Sequence, residues 1–299
     1  MYYTLNVKGR LAELCEPQVM GILNVTPDSF YADSRRQTEE QIAARANEIV
    51  SQGATMIDVG ACSTRPGAEP ASQAEEMARL RLALPIVRRE QPDAIISVDT
   101  FRPDVARMAV EEYGADIVND VGQTATQHPT PITHHPTPIT QHPTPNTQHP
   151  SPNTQHPTPE MFRIVSRLRV PYIYMSSAST LRDVLLDFAE RVQQLRDLGQ
   201  KDIILDPGFG FGKTLEQNYE LLRQLECLQV MELPLLVGLS RKSMIYKLLG
   251  TTPDHALNGT TALNTIALQK GASILRVHDV AEAVELIKIK KIKNKGLKG

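Results

Sequence analysis

The chain has 299 residues, of which 41% are hydrophobic and 22% charged, a balance typical of a globular protein with a large buried core. Its 32 lysines and arginines are matched by 34 aspartates and glutamates, so it lacks the basic excess of proteins that bind nucleic acid. The three cysteines, with no C-x-x-C spacing, predict neither a disulfide framework nor a zinc site. The N-terminal residues form no signal-like apolar run, and no segment reaches membrane-spanning length, so we expect a cytoplasmic protein without a membrane partner.

Short apolar runs, each followed by an amphipathic stretch, recur along the chain. The predicted strands are 19–24, 56–59, 95–99, 117–120, 172–175, 203–206, 235–238 and 274–277. Apolar residues that return every three or four positions predict helices over 39–51, 73–89, 182–198 and 216–225. Alternating strands and helices imply parallel strands joined by right-handed crossovers. Eight such units predict an α/β fold, a single-domain (β/α)8 TIM barrel over residues 1–299.

Residues 127–159 interrupt this pattern with a seven-residue repeat that begins QHPTPIT and HHPTPIT. The repeat holds ten of the 21 prolines and six of the eight histidines. Proline fixes φ and removes a hydrogen-bond donor, so this insert after the fourth strand is predicted to be extended or disordered. It is either a tolerated loop expansion or a histidine array for a metal. The expansion is favoured, because an extended chain separates histidines seven residues apart by roughly 20 Å.

Polar and charged side chains follow the predicted strands at the points where the strands end. They are Asn24, Asp58, Asp99, Asn119, Asp120, Asp206, Ser240, Arg241, Lys242, Arg276, His278 and Asp279. Any one of them alone is typical of a helix cap. In a closed barrel, however, all the strand ends face one mouth. The acceptors and the amide of Asp99, Asn119 and Asp206 suit a flat heterocycle with several N–H groups.

Two further features indicate what this mouth binds. Arg276, His278 and Asn24 should meet where the eighth strand lies beside the first, which predicts a phosphate site. Taken without its neighbours, His278 could equally be a helix cap or a core histidine. Lys242, in SRKS after the seventh strand, can bind a ring carbonyl, a ring nitrogen or a carboxylate.

Three loops complete the predicted mouth. NVTPDSF and STRPGA follow the first two strands, contain proline and are predicted to be mobile covers. DPGFGFGK lacks the spacing of a phosphate-binding loop, so its glycines are predicted to turn the backbone sharply and present Phe209 and Phe211.

Eight stretches in order resemble the dihydropteroate synthases, folate-pathway enzymes that sulfonamides target. The stretches are GILNVTPDSF, DVGACSTRPGA, SVDTF, IVNDV, DPGFGFGKT, GLSRKS, NGTTALNTIALQKGA and RVHD. They span residues 21–279 apart from the insert. The resemblance implies a transferase that condenses p-aminobenzoate with 6-hydroxymethyl-7,8-dihydropterin diphosphate, giving 7,8-dihydropteroate and diphosphate. It also implies Mg2+ and a homodimer.

The resemblance also implies roles for individual residues. Asp99, Asp206, Lys242 and Arg276 would be catalytic. The pterin would be held by Asp99, Asn119, Asp206 and Lys242. Arg276 and His278 would hold diphosphate, with Asn24 as the metal ligand. The aminobenzoate site would be shaped by Phe30, Thr64, Arg65, Pro66, Phe211 and Ser240.

The chain departs from the family pattern at several positions. Tyr31-Ala32-Asp33-Ser34 stands where Ser-Asp-Gly-Gly is usual, Ser176-Ser177 replaces a His-Met-Arg-Gly run, and Cys62 replaces a glutamate. Two alternatives remain beside the synthase. One is a methyltetrahydrofolate–corrinoid methyltransferase, which has no use for a diphosphate clamp. The other is a catalytically silent paralogue that binds a pterin or a partner protein.

Overall fold

A computed structural model of the chain describes residues 3–7, 9–25, 35–62, 71–121 and 159–295. Within these ranges an antiparallel hairpin precedes eight parallel strands. The strands are β1 (Tyr3–Val7), β2 (Arg10–Leu14), β3 (Gln18–Asn24), β4 (Met56–Gly60), β5 (Ile95–Asp99), β6 (Ile117–Asp120), β7 (Tyr172–Met175), β8 (Ile203–Asp206), β9 (Leu236–Val237) and β10 (Ile274–Val277). All eight predicted strands are therefore confirmed, each within one residue at either end.

The eight parallel strands form a barrel in the order β8-β7-β6-β5-β4-β3-β10-β9. The ring closes between β8 and the start of β9, where the Leu205 N–H donates to the Pro234 carbonyl over 2.9 Å. Arg276 of β10 lies in register with Met20 of β3, so the last strand pairs with the first, as predicted. The (β/α)8 TIM barrel is therefore confirmed.

Helices surround the barrel and cover its outer face. In the described ranges they are α1 (Arg35–Ser51), α2 (Gln73–Glu90), α3 (Pro103–Glu111), α4 (Glu160–Leu168), α5 (Leu181–Asp197), α6 (Leu215–Arg223), α7 (Ser243–Tyr246), α8 (Leu257–Gln269) and α9 (Val280–Lys295). Two 3-10 helices, Leu225–Met231 and Pro253–His255, lie between them. Residues next to each other in the sequence fix the start of α2 through a capping box. The Ser72 hydroxyl accepts the Glu75 N–H, and the Glu75 carboxylate accepts the Ser72 N–H.

Each barrel strand alternates between an outward and an inward face. The outward residues, such as Val19, Val98 and Leu275, pack under the helices in the main apolar core. The first inward layer is also apolar. It contains Met20, Met56, Ile117, Ile173, Ile204, Leu236 and Ile274. The next inward positions along the strands are largely polar, which places the candidate site at the carboxyl ends of the strands.

The β1–β2 hairpin closes the amino-terminal end of the barrel. Leu5 and Leu14 pack against the first inward layer, and the Asn6 N–H donates to Asp202 Oδ1 over 2.8 Å. This hairpin was not among the elements predicted from the sequence. Its local signals are apolar residues at alternate positions of β1 and the turn at Gly9, whose φ is +75°.

Several predictions fall on residues that the structure does not describe. They are the insert 127–159 up to its last residue, the first loop with Phe30, and the second loop with Thr64, Arg65 and Pro66. Over the described ranges, no helix combines the length and the apolar character needed to cross a bilayer.

Candidate active site

Arg276 joins two carboxylates at the centre of the barrel mouth. Its Nε donates to Asp58 Oδ2 and its Nη2 to Asp99 Oδ2, both over 2.6 Å. Asn119 Nδ2 donates to the same Asp58 oxygen over 3.0 Å. These four side chains come from β4, β5, β6 and β10, so the barrel brings together residues that are far apart in the sequence.

Asp206 and Lys242 lie on the other side of the mouth. The Asp206 carboxylate is buried, and its Oδ1 accepts the Gly208 N–H over 2.7 Å. Lys242 Nζ donates to the Phe209 carbonyl and lies 4.6 Å from the centre of the Phe211 ring, a cation–π contact. The point that a β-carbon on Gly238 would occupy is 3.7 Å from Lys242 Nζ and 3.9 Å from Arg276 Cβ. The two halves of the mouth therefore face one space.

Asn24 lies at the end of β3, beside Asp99. The point that a β-carbon on Gly60 would occupy is 3.3 Å from Asn24 Oδ1 and 3.5 Å from Asp99 Oδ2. An amide oxygen and a carboxylate oxygen therefore share one corner of the mouth. Only a residue without a side chain at position 60 leaves that corner open.

The glycine-rich loop after β8 is organised by Lys213, which the sequence analysis did not single out. Its Nζ donates to the carbonyls of Gly208, Phe211 and Ser176, at 2.9, 3.3 and 3.4 Å. A cation that is surrounded by main-chain carbonyls ties this loop to the end of β7. The Lys that follows a Phe-Gly-Phe-Gly turn was the available signal, but sequence alone does not say which way it folds.

Burial controls the protonation of the acids in the mouth. It raises the pKa of Asp99 to about 7, since desolvation and the nearby Asp58 outweigh the opposing charge of Arg276. Burial also raises the pKa of Asp206, against the lowering effect of Lys242. The site therefore holds carboxylates that take up protons at higher pH than exposed aspartates do.

Burial and neighbouring charges shift the pKa values of the basic groups in the mouth in different directions. Burial lowers the pKa of Lys242 to about 8, although Asp206 partly offsets this. For Arg276 burial also acts to lower the pKa, but Asp58 and Asp99 more than reverse it and raise the pKa, so Arg276 stays charged. Burial and the charge of Arg276 lower the pKa of His278 to about 4. His278 is therefore a neutral imidazole at pH 7.

The end of β10 is tied to the loop after β9. Arg241 binds Asp279 with both Nε and Nη2, at 3.0 and 2.6 Å. The Ser240 hydroxyl accepts the His278 N–H over 3.2 Å. Ser240, predicted to shape the aminobenzoate site, thus also supports the backbone at His278.

Two expectations about side-chain direction are wrong. Asp120 does not face the mouth, because it follows Asn119 on the strand and points outward, where its Oδ2 accepts the Tyr172 hydroxyl over 2.6 Å. Phe209 is not presented to the mouth either, since its ring is buried in the main apolar core under the helices. Phe211 is only half-buried and lies against Lys242.

Some buried acceptors of the mouth lack a partner in the described part of the chain. They are Asp58 Oδ1, Asn119 Oδ1 and, in the layer below, Ser97 Oγ. A buried acceptor without a hydrogen bond is costly. The mouth thus offers oxygen atoms to a ligand that carries N–H groups.

The closed parallel barrel and the ring of acids, amide and cations at its carboxyl-terminal mouth define a TIM-barrel enzyme. A sequence model of the family described as "Pterin binding enzyme" matches residues 20–139 and 151–278. The dihydropteroate synthase of Escherichia coli K12 is 36% identical over 289 residues, covering 95% of this chain and 94% of that protein. The chain belongs to the dihydropteroate synthase family of pterin-binding enzymes.

Solved structures support this membership. The Xanthomonas albilineans dihydropteroate synthase with 4-aminobenzoic acid superposes with a TM-score of 0.80 at 32% identity, covering 99% of this chain and all of that one. The structure of the same enzyme in complex with 7,8-dihydropteroate has a TM-score of 0.79 at 31% identity, covering 98% of this chain and all of that one.

Proposed function

We propose that this chain condenses p-aminobenzoate with 6-hydroxymethyl-7,8-dihydropterin diphosphate to form 7,8-dihydropteroate and diphosphate. The observation that carries the proposal is the convergence of Asp99, Asp206, Lys242 and Arg276 on one buried space. Membership of the dihydropteroate synthase family also supports the proposal. So do the two related structures, whose ligands are a substrate and a product of this reaction.

The acids and the amide of the mouth would hold the pterin ring. Asp206 and Asp99 supply carboxylate oxygens, and Asn119 Oδ1, which has no partner among the described residues, supplies a further acceptor for ring N–H groups. Lys242, as a cation below its pKa of about 8, would donate to a ring nitrogen or carbonyl oxygen. The ring would thus exchange its hydrogen bonds to water for bonds to buried groups of the mouth.

Arg276, His278 and Asn24 would hold the diphosphate group. Asp58 and Asp99 engage two nitrogens of Arg276, so its remaining N–H groups would donate to the anion. His278 would act as a neutral N–H donor, because its pKa lies near 4 in the unliganded site. Both groups stabilise negative charge more strongly in a buried site than in water.

Asn24 would also contribute to a Mg2+ site. Among the described residues no cluster of three His, Cys, Asp or Glu side chains suits a metal ion. Mg2+ often needs only one or two protein oxygens together with substrate phosphates, and Asn24 Oδ1 beside Gly60 offers one such oxygen. When bound, Mg2+ would neutralise charge on the diphosphate.

The chemistry then requires no protein nucleophile. The bond between the pterin methylene carbon and the diphosphate oxygen breaks, and its electron pair leaves with diphosphate. The aminobenzoate nitrogen forms the new bond to the methylene carbon and then loses a proton. Carboxylates near the ring stabilise the cationic methylene group. The aminobenzoate site would be shaped by Phe211 and Ser240. Phe30, Thr64, Arg65 and Pro66, which lie outside the described residues, would also contribute to it.

Homodimerisation, which the family resemblance implies, belongs to this proposal as well. Sedimentation equilibrium tests whether the chain forms a dimer. A monomer mass over the micromolar range would contradict homodimerisation.

The proposal is tested by incubating the purified chain with both substrates and Mg2+ and detecting dihydropteroate by mass spectrometry. Omitting either substrate should abolish the product. A chain that binds both ligands without forming product would be the silent paralogue, and the proposal would fail.

A further inference from the structure

Arg45, which the proposed mechanism does not use, lies at the edge of the mouth where the last barrel strand meets the first. The ladder between β10 and β3 ends at the pair Val277 and Gly21. The next residues along the two strands are His278 and Ile22. Arg45 Nη2 donates to the His278 carbonyl over 2.8 Å, and its Nε and Nη2 both lie 3.4 Å from the Ile22 carbonyl oxygen. One guanidinium on α1 therefore connects the two strands beyond their last paired residues.

The Arg45 side chain is oriented by a further contact on its own helix. Its Nη1 donates to Glu48 Oε2 over 2.7 Å, about one turn further along α1. The side chain is 24% exposed, so most of it is shielded from water. A guanidinium is planar and carries five N–H donors, so it can bind the carboxylate and both carbonyls at the same time.

Arg45 and Ser240 together hold the main chain at His278. The Ser240 hydroxyl accepts the His278 N–H over 3.2 Å, and Arg45 donates to the His278 carbonyl. Both polar groups of the His278 main chain are thus bound, and the imidazole follows the position of the main chain that carries it. The Ile22 carbonyl lies two residues before Asn24. Arg45 therefore joins the two strand ends that carry His278 and Asn24.

We propose that Arg45 is a positioning residue that holds His278 against the end of β3, and so sets the affinity for the diphosphate group. This inference rests on the proposed function. Arg276 should be less affected, because it lies within the paired part of β10, in register with Met20. Within the described ranges Arg45 donates no hydrogen bond to the residues proposed to hold the pterin ring, so binding of the ring alone should not depend on it.

The test is a calorimetric titration of the full chain, with Mg2+ present, against two ligands. One is 6-hydroxymethyl-7,8-dihydropterin diphosphate, and the other is the same pterin alcohol without the diphosphate. Arg45→Met should raise Kd for the diphosphate by about tenfold, since a displacement of about 1 Å in a positioned group can cost this much or more. The Kd for the alcohol should stay at the wild-type value.

Two further variants distinguish positioning from a simple effect of charge. Arg45→Lys keeps the charge but has a single nitrogen, which cannot reproduce the planar set of bonds to Glu48 and both carbonyls. Its Kd for the diphosphate should lie between those of the wild type and Arg45→Met, and it supplies the measurement if Arg45→Met does not fold. The double variant Arg45→Met/His278→Ala should bind the diphosphate as tightly as His278→Ala alone, because Arg45 acts through His278.

Arg88→Met is the matched control. Arg88 on α2 donates to the carbonyls of Ala94 and Gly114, both over 3.0 Å, and to the buried Asp116 carboxylate over 2.6 Å. It is therefore also a helix arginine that joins two neighbouring strands, but at the amino-terminal end of the barrel, before β5 and β6. Its replacement should lower the melting temperature at least as much as Arg45→Met does and leave both Kd values unchanged.

The inference is overturned if Arg45→Met binds the pterin diphosphate as tightly as the wild type or weakens both ligands equally. Complete restoration of affinity by Arg45→Lys, or additive losses in the double variant, would overturn it as well. Failure of the proposed function would look different, since the wild-type chain itself would then form no dihydropteroate.

Discussion

Arg276 and Asp99 are 177 residues apart in the chain, yet Nη2 of one lies 2.6 Å from Oδ2 of the other. The same guanidinium binds Asp58, which is fully buried. Arg276 therefore has two roles: its charge offsets part of the negative charge of two neighbouring carboxylates, and its remaining N–H groups are donors for the proposed diphosphate.

Replacing Arg276 by alanine should affect both roles. Two buried carboxylates would lose their partner, so the free energy of unfolding should fall by about 3 kcal/mol, as is common when one member of a buried ion pair is removed. Calorimetric titration should show that binding of the pterin diphosphate weakens far more than binding of p-aminobenzoate. Equal losses for the two ligands would count against the assignment of Arg276 to the diphosphate.

The pH dependence of turnover should show a narrow maximum. Asp99 must be ionised to accept ring N–H groups, and its pKa of about 7 places the acid limb of kcat/KM near that pH. Lys242 must be a cation, and its pKa of about 8 places the alkaline limb close above it. Lys242→Arg keeps the charge and should move the alkaline limb to higher pH, whereas an unmoved limb would show that another group titrates there.

The same two residues should contribute to stability with opposite signs. The pKa of Asp99 is raised on folding, so its contribution is fully present below about 3.8 and is lost as the pH rises to about 7. The pKa of Lys242 is lowered, so its contribution is present above about 10.5 and is lost as the pH falls to about 8. Urea unfolding of the wild type, Asp99→Asn and Lys242→Met across this range measures both slopes, and wild-type slopes in the variants would contradict the assignment.

Much of the fold could be predicted because the strands of a closed parallel barrel are buried on both faces and appear as short apolar runs. The strands that end at Asn24, Asp99, Asp120 and Asp206 end there in the structure as well. The hairpin was missed because Lys8-Gly9, though a turn signal, lies among charged residues near the N-terminus.

The site was predictable only in part. The carboxyl ends of the strands identified which residues reach the mouth, but not which of them pair with each other. The bond between Arg276 and Asp58 and that between Arg102 and Glu76 join distant segments with no local signal. Asp120 shows this limit of prediction from sequence most simply. A shift of one position along a strand turns a side chain from the mouth to the main apolar core under the helices.

Two glycines with positive φ should respond very differently to alanine. Gly208 has φ +67°, and a β-carbon there would lie 2.1 Å from the Ser176 carbonyl oxygen, a main-chain atom that cannot rotate away. Gly208→Ala should therefore prevent the glycine-rich loop from forming and abolish turnover. Gly199 has φ +86° with no atom within 4 Å of that point, so Gly199→Ala should cost only about 1–2 kcal/mol of conformational strain.

Thermal melts and turnover assays on the two glycine variants distinguish the steric clash from the strain. Equal effects on turnover would contradict the close approach of the loop to β7.

Deleting residues 127–154, most of the histidine- and proline-rich repeat, should leave turnover within a few fold. This prediction comes from the sequence, since the repeat lies outside the described residues. The physical reason is that the entropy of closing a loop changes only slowly with its length. Steady-state assays of the deleted and full-length chains measure it, and complete loss of turnover would show that the repeat takes part in catalysis.

The most direct measurement of the central claim is the release of diphosphate by the wild-type chain with Mg2+ present. We expect release only when p-aminobenzoate and the pterin diphosphate are both present, with one diphosphate for each dihydropteroate formed. Release that is independent of p-aminobenzoate, or no release with both substrates bound, would contradict it.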